Sequence, residues 1–182
     1  MKVVILYADG FEDVEAIATR DVLVRAGIDV LDVKINTGSQ IVVSSHKMSL
    51  TGFNDVKNID INEYEALILP GGSRGVANLL KSNEVDYLVQ GFYKADKWVC
   101  AICAAPMVLA KNGLLHDKLY TCYPGCNVGL DGIYTGEEIV VTDKIITARS
   151  MLYSVPFGLK IVELILSKDV SDRVYSQIAG LN

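Results

Sequence analysis

Among the side chains of this 182-residue chain that could do covalent chemistry, the four cysteines and two histidines are few enough to weigh one by one. Cys103 stands apart. It follows the apolar run Trp98 to Ile102 and precedes Ala104-Ala105-Pro106, so Ala101-Ile102-Cys103-Ala104-Ala105 fits the small-x-nucleophile-x-small pattern of a strand-to-helix elbow. A non-glycine residue held in such a turn is strained by ~1–3 kcal/mol. The helix amides behind it are expected to favour the thiolate over the thiol. That chemistry is nucleophilic attack on an electrophilic carbon. A buried, inert core cysteine fits the same pattern.

Glu15 is the second candidate. Its helical neighbours Phe11, Ala18 and Val22 put a carboxyl group on an apolar stripe, where burial raises its pKa and keeps it protonated. A protonated carboxyl beside a thiolate can donate a hydrogen bond and act as general acid or base. A Glu15 at the edge of the stripe would instead reach solvent. The loop Gly71-Gly72-Ser73-Arg74-Gly75 lacks the lysine and spacing of a nucleotide-binding loop. Its amides could form an oxyanion hole, because glycine lets the main chain approach a substrate closely.

Other groupings are weaker. Cys100-x2-Cys103 with Cys122-x3-Cys126 approaches the spacing of a four-cysteine zinc site. Side chains three apart on a strand point to opposite faces, which argues against both chelation and a dithiol pair at Cys100 and Cys103. His46, in a short-strand region, and His116, in a polar loop, have no obvious carboxylate partner, so a Cys-His-Asp triad is poorly supported.

The elements that position these residues can be read from periodicity. Lys2 to Ala8 is an apolar run too short for a helix, a strand buried on both faces, ending at Asp9-Gly10. A helix follows, its stripe Phe11, Val14, Ala18, Val22 and Leu23, with Asp9 and Glu12 as a capping box and an end near Gly27. Ile28 to Ile35 is a strand, turned at Thr37-Gly38. Gln40 to Leu50 holds one or two short strands and Ala66 to Leu69 a buried one. Val85 to Tyr93 reads as a helix, Trp98 to Ile102 as a strand, and Ala105 to Lys111 as a helix with Pro106 in its first turn, closed by Gly113. After a glycine- and tyrosine-rich stretch, Tyr120 to Gly136, come strands Ile139 to Val141 and Ile145 to Ala148 and a last amphipathic helix to about Ser167. This alternation predicts one domain over residues 1–182: a doubly wound, mostly parallel sheet with helices on both faces, carrying its site beyond the carboxyl ends of the strands.

Composition narrows the function. A 51% hydrophobic content excludes disorder, and 17 basic against 22 acidic residues, a net charge of −5 with no basic run, argues against nucleic acid. No apolar run approaches the roughly 20 residues of a membrane span, and no signal segment is visible. The expected setting is therefore cytoplasmic, with reduced cysteines.

Six motifs in order, Asp9-Gly10-Phe11-Glu12-Asp13-Val14-Glu15, Arg25-Ala26-Gly27, Leu69-Pro70-Gly71-Gly72, Ala101-Ile102-Cys103-Ala104-Ala105-Pro106, Thr121-Cys122-Tyr123-Pro124-Gly125 and Thr147-Ala148-Arg149-Ser150, cover nearly the whole chain. In these the sequence resembles the ThiJ/PfpI superfamily, in the branch of the Parkinson's-disease-associated protein deglycase. The resemblance implies a flavodoxin-like α/β/α sandwich, usually a homodimer paired through the first helix, with Val14 and His46 near the two-fold axis. It implies Cys103 as nucleophile, Glu15 as its protonated partner, and the amides of Gly72 and Ala104 as oxyanion donors. Gly71, Tyr123 and Arg149 are further candidates to line the site. Two departures narrow the activity. The residue after the nucleophile is Ala104 where the protease-like branch has histidine, and no downstream His-x-Glu pair of an amidotransferase exists. The implied reaction is detoxification of reactive carbonyls such as methylglyoxal or their adducts, with a Cys103 hemithioacetal, Glu15 as acid and base, and chemistry that needs no metal or organic cofactor. The alternative is an oxidative-stress sensor or chaperone-like protein acting through a Cys103 sulfinate.

Overall fold

The structure, a computed structural model, describes residues 1–35 and 38–181. In chain order its elements are β1 (Lys2–Tyr7), α1 (Asp13–Arg25), β2 (Asp29–Lys34), β3 (Val42–Val43), β4 (Ser49–Leu50), β5 (Asn54–Asp55), β6 (Ala66–Leu69), α2 (Ser73–Leu79), α3 (Asn83–Lys94), β7 (Trp98–Ile102), α4 (Pro106–Lys111), β8 (Leu119–Tyr120), β9 (Ile133–Tyr134), β10 (Ile139–Thr142), β11 (Ile145–Ala148), α5 (Ser154–Ile165) and α6 (Lys168–Ala179). The seven-stranded sheet runs β10-β11-β7-β6-β1-β2-β5, and every pairing in it is parallel except β10 with β11. This is the expected doubly wound architecture.

The apolar runs are continuous because both faces of the central strands are covered. Val4, Leu6, Leu67, Leu69, Val99 and Ala101 face one layer with α3 and α4. Val3, Ile5, Ala66, Ile68, Cys100 and Ile102 face the other, with α1 and α5. The chain order places β1 at a switch point: its successor β2 lies on one side and β6 on the other. Such a point opens a crevice beyond the strand ends. No helix among the described residues is long and apolar enough to cross a membrane.

Several local expectations need correction. Glu12, not Asp9, caps α1, and it does so without a side-chain bond. The Asp9 carboxylate instead accepts from the Val43 amide at 2.8 Å, tying β1 to the β3–β4 hairpin. The buried face of α1 is Glu15, Ala16, Thr19, Val22 and Leu23, with Val14 exposed, so the stripe is rotated from the one read off the apolar residues. The cause is α5. Gly158 lets α1 approach so closely that a Cβ there would lie 2.9 Å from that of Val22, and Thr19 donates to the Ser154 carbonyl at 3.4 Å. The glycine-rich loop is shorter than expected, because α2 starts at Ser73. The chain does not end its helices at Ser167: that residue caps a further helix, α6, by accepting from the Val170 amide. Thr37, half of the expected turn, lies outside the described residues.

Candidate active site

Cys103 sits where β7 ends and the chain turns towards α4, with φ of 64°, a left-handed conformation that L residues rarely adopt. Hydrogen bonds on both sides hold it there. Its amide donates to the Ala148 carbonyl at 2.8 Å and its own carbonyl accepts from the Tyr123 amide at 2.8 Å. β11 and the segment after β8 thus over-determine the strain, as an elbow requires.

Glu15 reaches the elbow from the first turn of α1 and is 1% exposed. Gly71, at the end of β6, donates its amide to Glu15 Oε2 at 2.8 Å. A Cβ at Gly71 would stand 2.5 Å from that oxygen and 2.8 Å from Cys103 Cβ, so only glycine fits between nucleophile and carboxyl. Glu15 Oε1 is equally buried and has no N–H or O–H partner among the described residues. The polar group facing the carboxyl is the Cys103 thiol, close enough for each to alter the other's titration. Burial raises the Glu15 pKa to about 7, against the opposing hydrogen bonds from Cys103 and Gly71.

The expected acidic thiol is not what this geometry gives. Burial, and then the charge of Glu15, push the Cys103 pKa up, and only the Ala104 amide pulls it down by bonding to the sulfur. α4, the helix meant to favour the thiolate, has just six residues and starts at Pro106. The two groups share a site that disfavours double ionisation. Near pH 7 the thiol therefore keeps its proton while the carboxyl is poised to gain or lose its own.

Glu15, Gly72, Cys103, Ala104 and Tyr123 line a cleft of about 450 Å³, joined by Glu12, Ser73, Pro124, Cys126, Ser150 and Met151. Gly72, with φ of 92°, caps α2, and a side chain there would collide with the Gly10 carbonyl and the Glu12 amide. The elbow, Gly72, Glu15 and Tyr123 therefore come together at one cleft, while Gly71 does not line it and instead holds Glu15 from behind. Arg149 does not. It turns away to donate to the Gly136 carbonyl at 2.8 Å and to the Tyr153 hydroxyl, and lines a separate depression with Glu137, Glu138 and Ile139. Its neighbours Ser150 and Met151 take the place expected for it.

Both histidines do have carboxylate partners, contrary to expectation. His46 Nδ1 lies 2.8 Å from Asp13 and His116 Nδ1 2.5 Å from Asp131. Neither lines the cleft, so no triad forms with Cys103. The four cysteines do not gather either. Glu12, Asp13 and His46 are the one group of metal-competent side chains among the described residues, and no cysteine belongs to it. Cys100 is sealed in the core beneath the sheet. Cys126 is the chemically reactive residue among the cleft residues missed in the sequence, and the Tyr123-Pro124-Gly125 turn that brings it round is the signal that could have found it.

The family model described as the DJ-1/PfpI family matches residues 1–164. Protein dj-1beta of Drosophila melanogaster is 32% identical over 173 residues, 93% of this chain and 92% of that protein. The crystal structure of Drosophila melanogaster DJ-1beta superposes with a TM-score of 0.93 at 29% identity, covering 98% of this chain and 97% of that one. The glutathione-independent glyoxalase DJ-1 of Schizosaccharomyces pombe is 28% identical over 189 residues, 98% of each chain. A deglycase of Pyrococcus abyssi is 30% identical over 154 residues, 82% of this chain and 90% of that protein.

Proposed function

Because the chain belongs to the DJ-1/PfpI family, we propose that it detoxifies reactive carbonyl compounds through Cys103, converting 2-oxoaldehydes such as methylglyoxal, or the adducts they form, to 2-hydroxy acids. Relatives named glyoxalase and deglycase support carbonyl chemistry in general. The observation that carries the cysteine mechanism is the strained Cys103 facing a buried carboxyl, both of them lining one cleft.

In this reading the Cys103 thiol gives its proton to the Glu15 carboxylate as sulfur adds to the aldehyde carbon. The amides of Gly72 and Ala104 hold the resulting oxyanion, which takes that proton back from Glu15 and becomes a hemithioacetal. Glu15, again a carboxylate, removes the hydrogen on the former aldehyde carbon, and the electron pair moves to the neighbouring ketone oxygen. Returning the proton to the ketone carbon, while the hydroxyl proton of the first carbon passes to the former ketone oxygen and the first oxygen becomes a carbonyl, yields a lactyl thioester. Water then cleaves the carbon–sulfur bond, so methylglyoxal plus water becomes lactate and the thiol is restored. A pKa near 7 suits a group that must take and give a proton in one cycle.

Lactate release from methylglyoxal by the wild type and by Cys103→Ser tests the proposal. The variant should fall to the uncatalysed rate; retention of full activity rejects the mechanism. A homodimer paired through α1 belongs to the same reading, since Val14, Ile17 and Val24 are exposed along that helix. Sedimentation at micromolar concentration should show twice the mass of one chain, and a species of single-chain mass would remove the dimer.

A further inference from the structure

Cys126 lines the same cleft as Cys103, yet the carbonyl chemistry gives it no task. It closes a tight turn, Tyr123-Pro124-Gly125-Cys126, through its amide, which donates to the Tyr123 carbonyl at 2.9 Å. Proline second and a glycine with φ of 93° third are the residues of a type II turn. The Tyr123 amide in turn bonds to the Cys103 carbonyl at 2.8 Å, so two hydrogen bonds separate the backbones of the two cysteines. The Cys126 sulfur is also near enough to bear on the titration of Cys103.

The turn has room to move. Tyr123, Pro124 and Gly125 are exposed, and nothing lies within 4 Å of where a Gly125 side chain would begin. A disulfide requires Cα atoms about 4.4–6.8 Å apart, and forming one asks the Cys126 side chain to leave its packing against the core edge while the exposed turn residues before it follow. Cys100 and Cys122 are fully buried in the core and offer no comparable path into the cleft.

We propose that Cys103 and Cys126 form a reversible intramolecular disulfide when the cleft meets a hydroperoxide. The Cys103 sulfur attacks one peroxide oxygen and the O–O bond breaks. Cys103 becomes a sulfenic acid, and water or an alcohol leaves with the thiol proton. The Cys126 sulfur then attacks the Cys103 sulfur, the S–O bond breaks, and water leaves with the Cys126 proton. Two thiols lose two electrons and the peroxide gains them. Cys126 thereby intercepts Cys103 before the irreversible sulfinate stage, and an external dithiol restores both thiols. The inference rests on the reactive Cys103 of the proposed function but not on carbonyl turnover.

The test is to treat the whole protein with one equivalent of hydrogen peroxide, block free thiols with iodoacetamide, digest without reductant and read peptides by mass spectrometry. The expected result is a Cys103–Cys126 linked pair, two hydrogens lighter than the separate peptides, with joint loss of both alkylated forms and full recovery after dithiothreitol. Cys126→Ser, with Cys126→Ala as a second variant, given a second equivalent of peroxide, should instead carry Cys103 to a sulfinate that dithiothreitol does not reverse. Wild-type Cys103 sulfinate with Cys126 still alkylated, or Cys126 linked to Cys122, overturns the proposal. Disulfide formation without lactate release from untreated protein counts against the carbonyl reading alone; lactate release without the disulfide counts against this one alone.

Discussion

Asp13 and Glu15 stand two residues apart in the first turn of α1, and the helix turns them into opposite environments. Asp13 faces the β3–β4 hairpin, where the Ser45 hydroxyl donates to it at 3.0 Å and the His46 ring lies 2.8 Å away. Although partial burial opposes ionisation, bonds from Ser44, His46 and Ser45 prevail and hold its pKa at about 2. Glu15 faces the cleft, where burial outweighs its hydrogen bonds and lifts its pKa to about 7. Both sit at the positive end of the same helix dipole, so the dipole does not decide their roles. Desolvation and partner count do. One carboxyl fastens the fold and the other is left able to move a proton.

The largest break in this contrast is Glu15→Gln. Glutamine can keep the bond to the Gly71 amide but cannot carry the proton, so lactate formation should fall by about 100- to 10,000-fold while the protein stays folded. Gly71→Ala comes next. Its methyl group would push on Glu15 Oε2 and Cys103 Cβ together, and overpacking of this kind costs about 1–3 kcal/mol. Urea unfolding should show that loss, and turnover should drop with it.

Stability against pH sharpens the comparison. The Glu15 pKa is raised from 4.5 in the unfolded reference to about 7. Its contribution is therefore full below about 4.5 and is lost as pH rises to 7, a change on the order of 3 kcal/mol at 1.36 kcal/mol per unit. Glu15→Gln should flatten that fall and leave the variant more stable than the wild type at pH 8. Asp13 has the reverse sign: its contribution is present above its unfolded value of 3.8 and is lost as pH falls through about 2. The smallest expected effect is that of Asp13→Asn. It should shift the His46 titration, followed by NMR, to lower pH, because the Asp13 bond is the main cause that raises it, and leave the pH profile of turnover in place.

Strands were more legible in the sequence than helix faces. Ala66–Leu69, Trp98–Ile102 and Ile145–Ala148 form at the bounds read from their apolar runs, because burial on both faces leaves no alternation to misread. The elbow cysteine and the glycines before it were legible for the same reason: they follow directly on those strands. Glu15 was only half legible, since a pattern that scores carboxyl groups as polar rotates the α1 stripe towards Val14. α2 escaped because it is short and capped by Gly72 rather than by a polar side chain. Arg149 shows the limit of reading a site from strand ends: the position was right, but the Gly136 carbonyl and Tyr153 claim its guanidinium.

The most direct test of the Cys103–Glu15 pair is the pH dependence of kcat/KM for lactate formation from methylglyoxal, measured for the wild type beside Glu15→Gln. With Glu15 as the acceptor of the thiol proton, the wild-type rate should rise through an inflection near 7, and the variant should lose both the rate and that limb. A Glu15→Gln protein with wild-type rates and the same inflection would contradict the account.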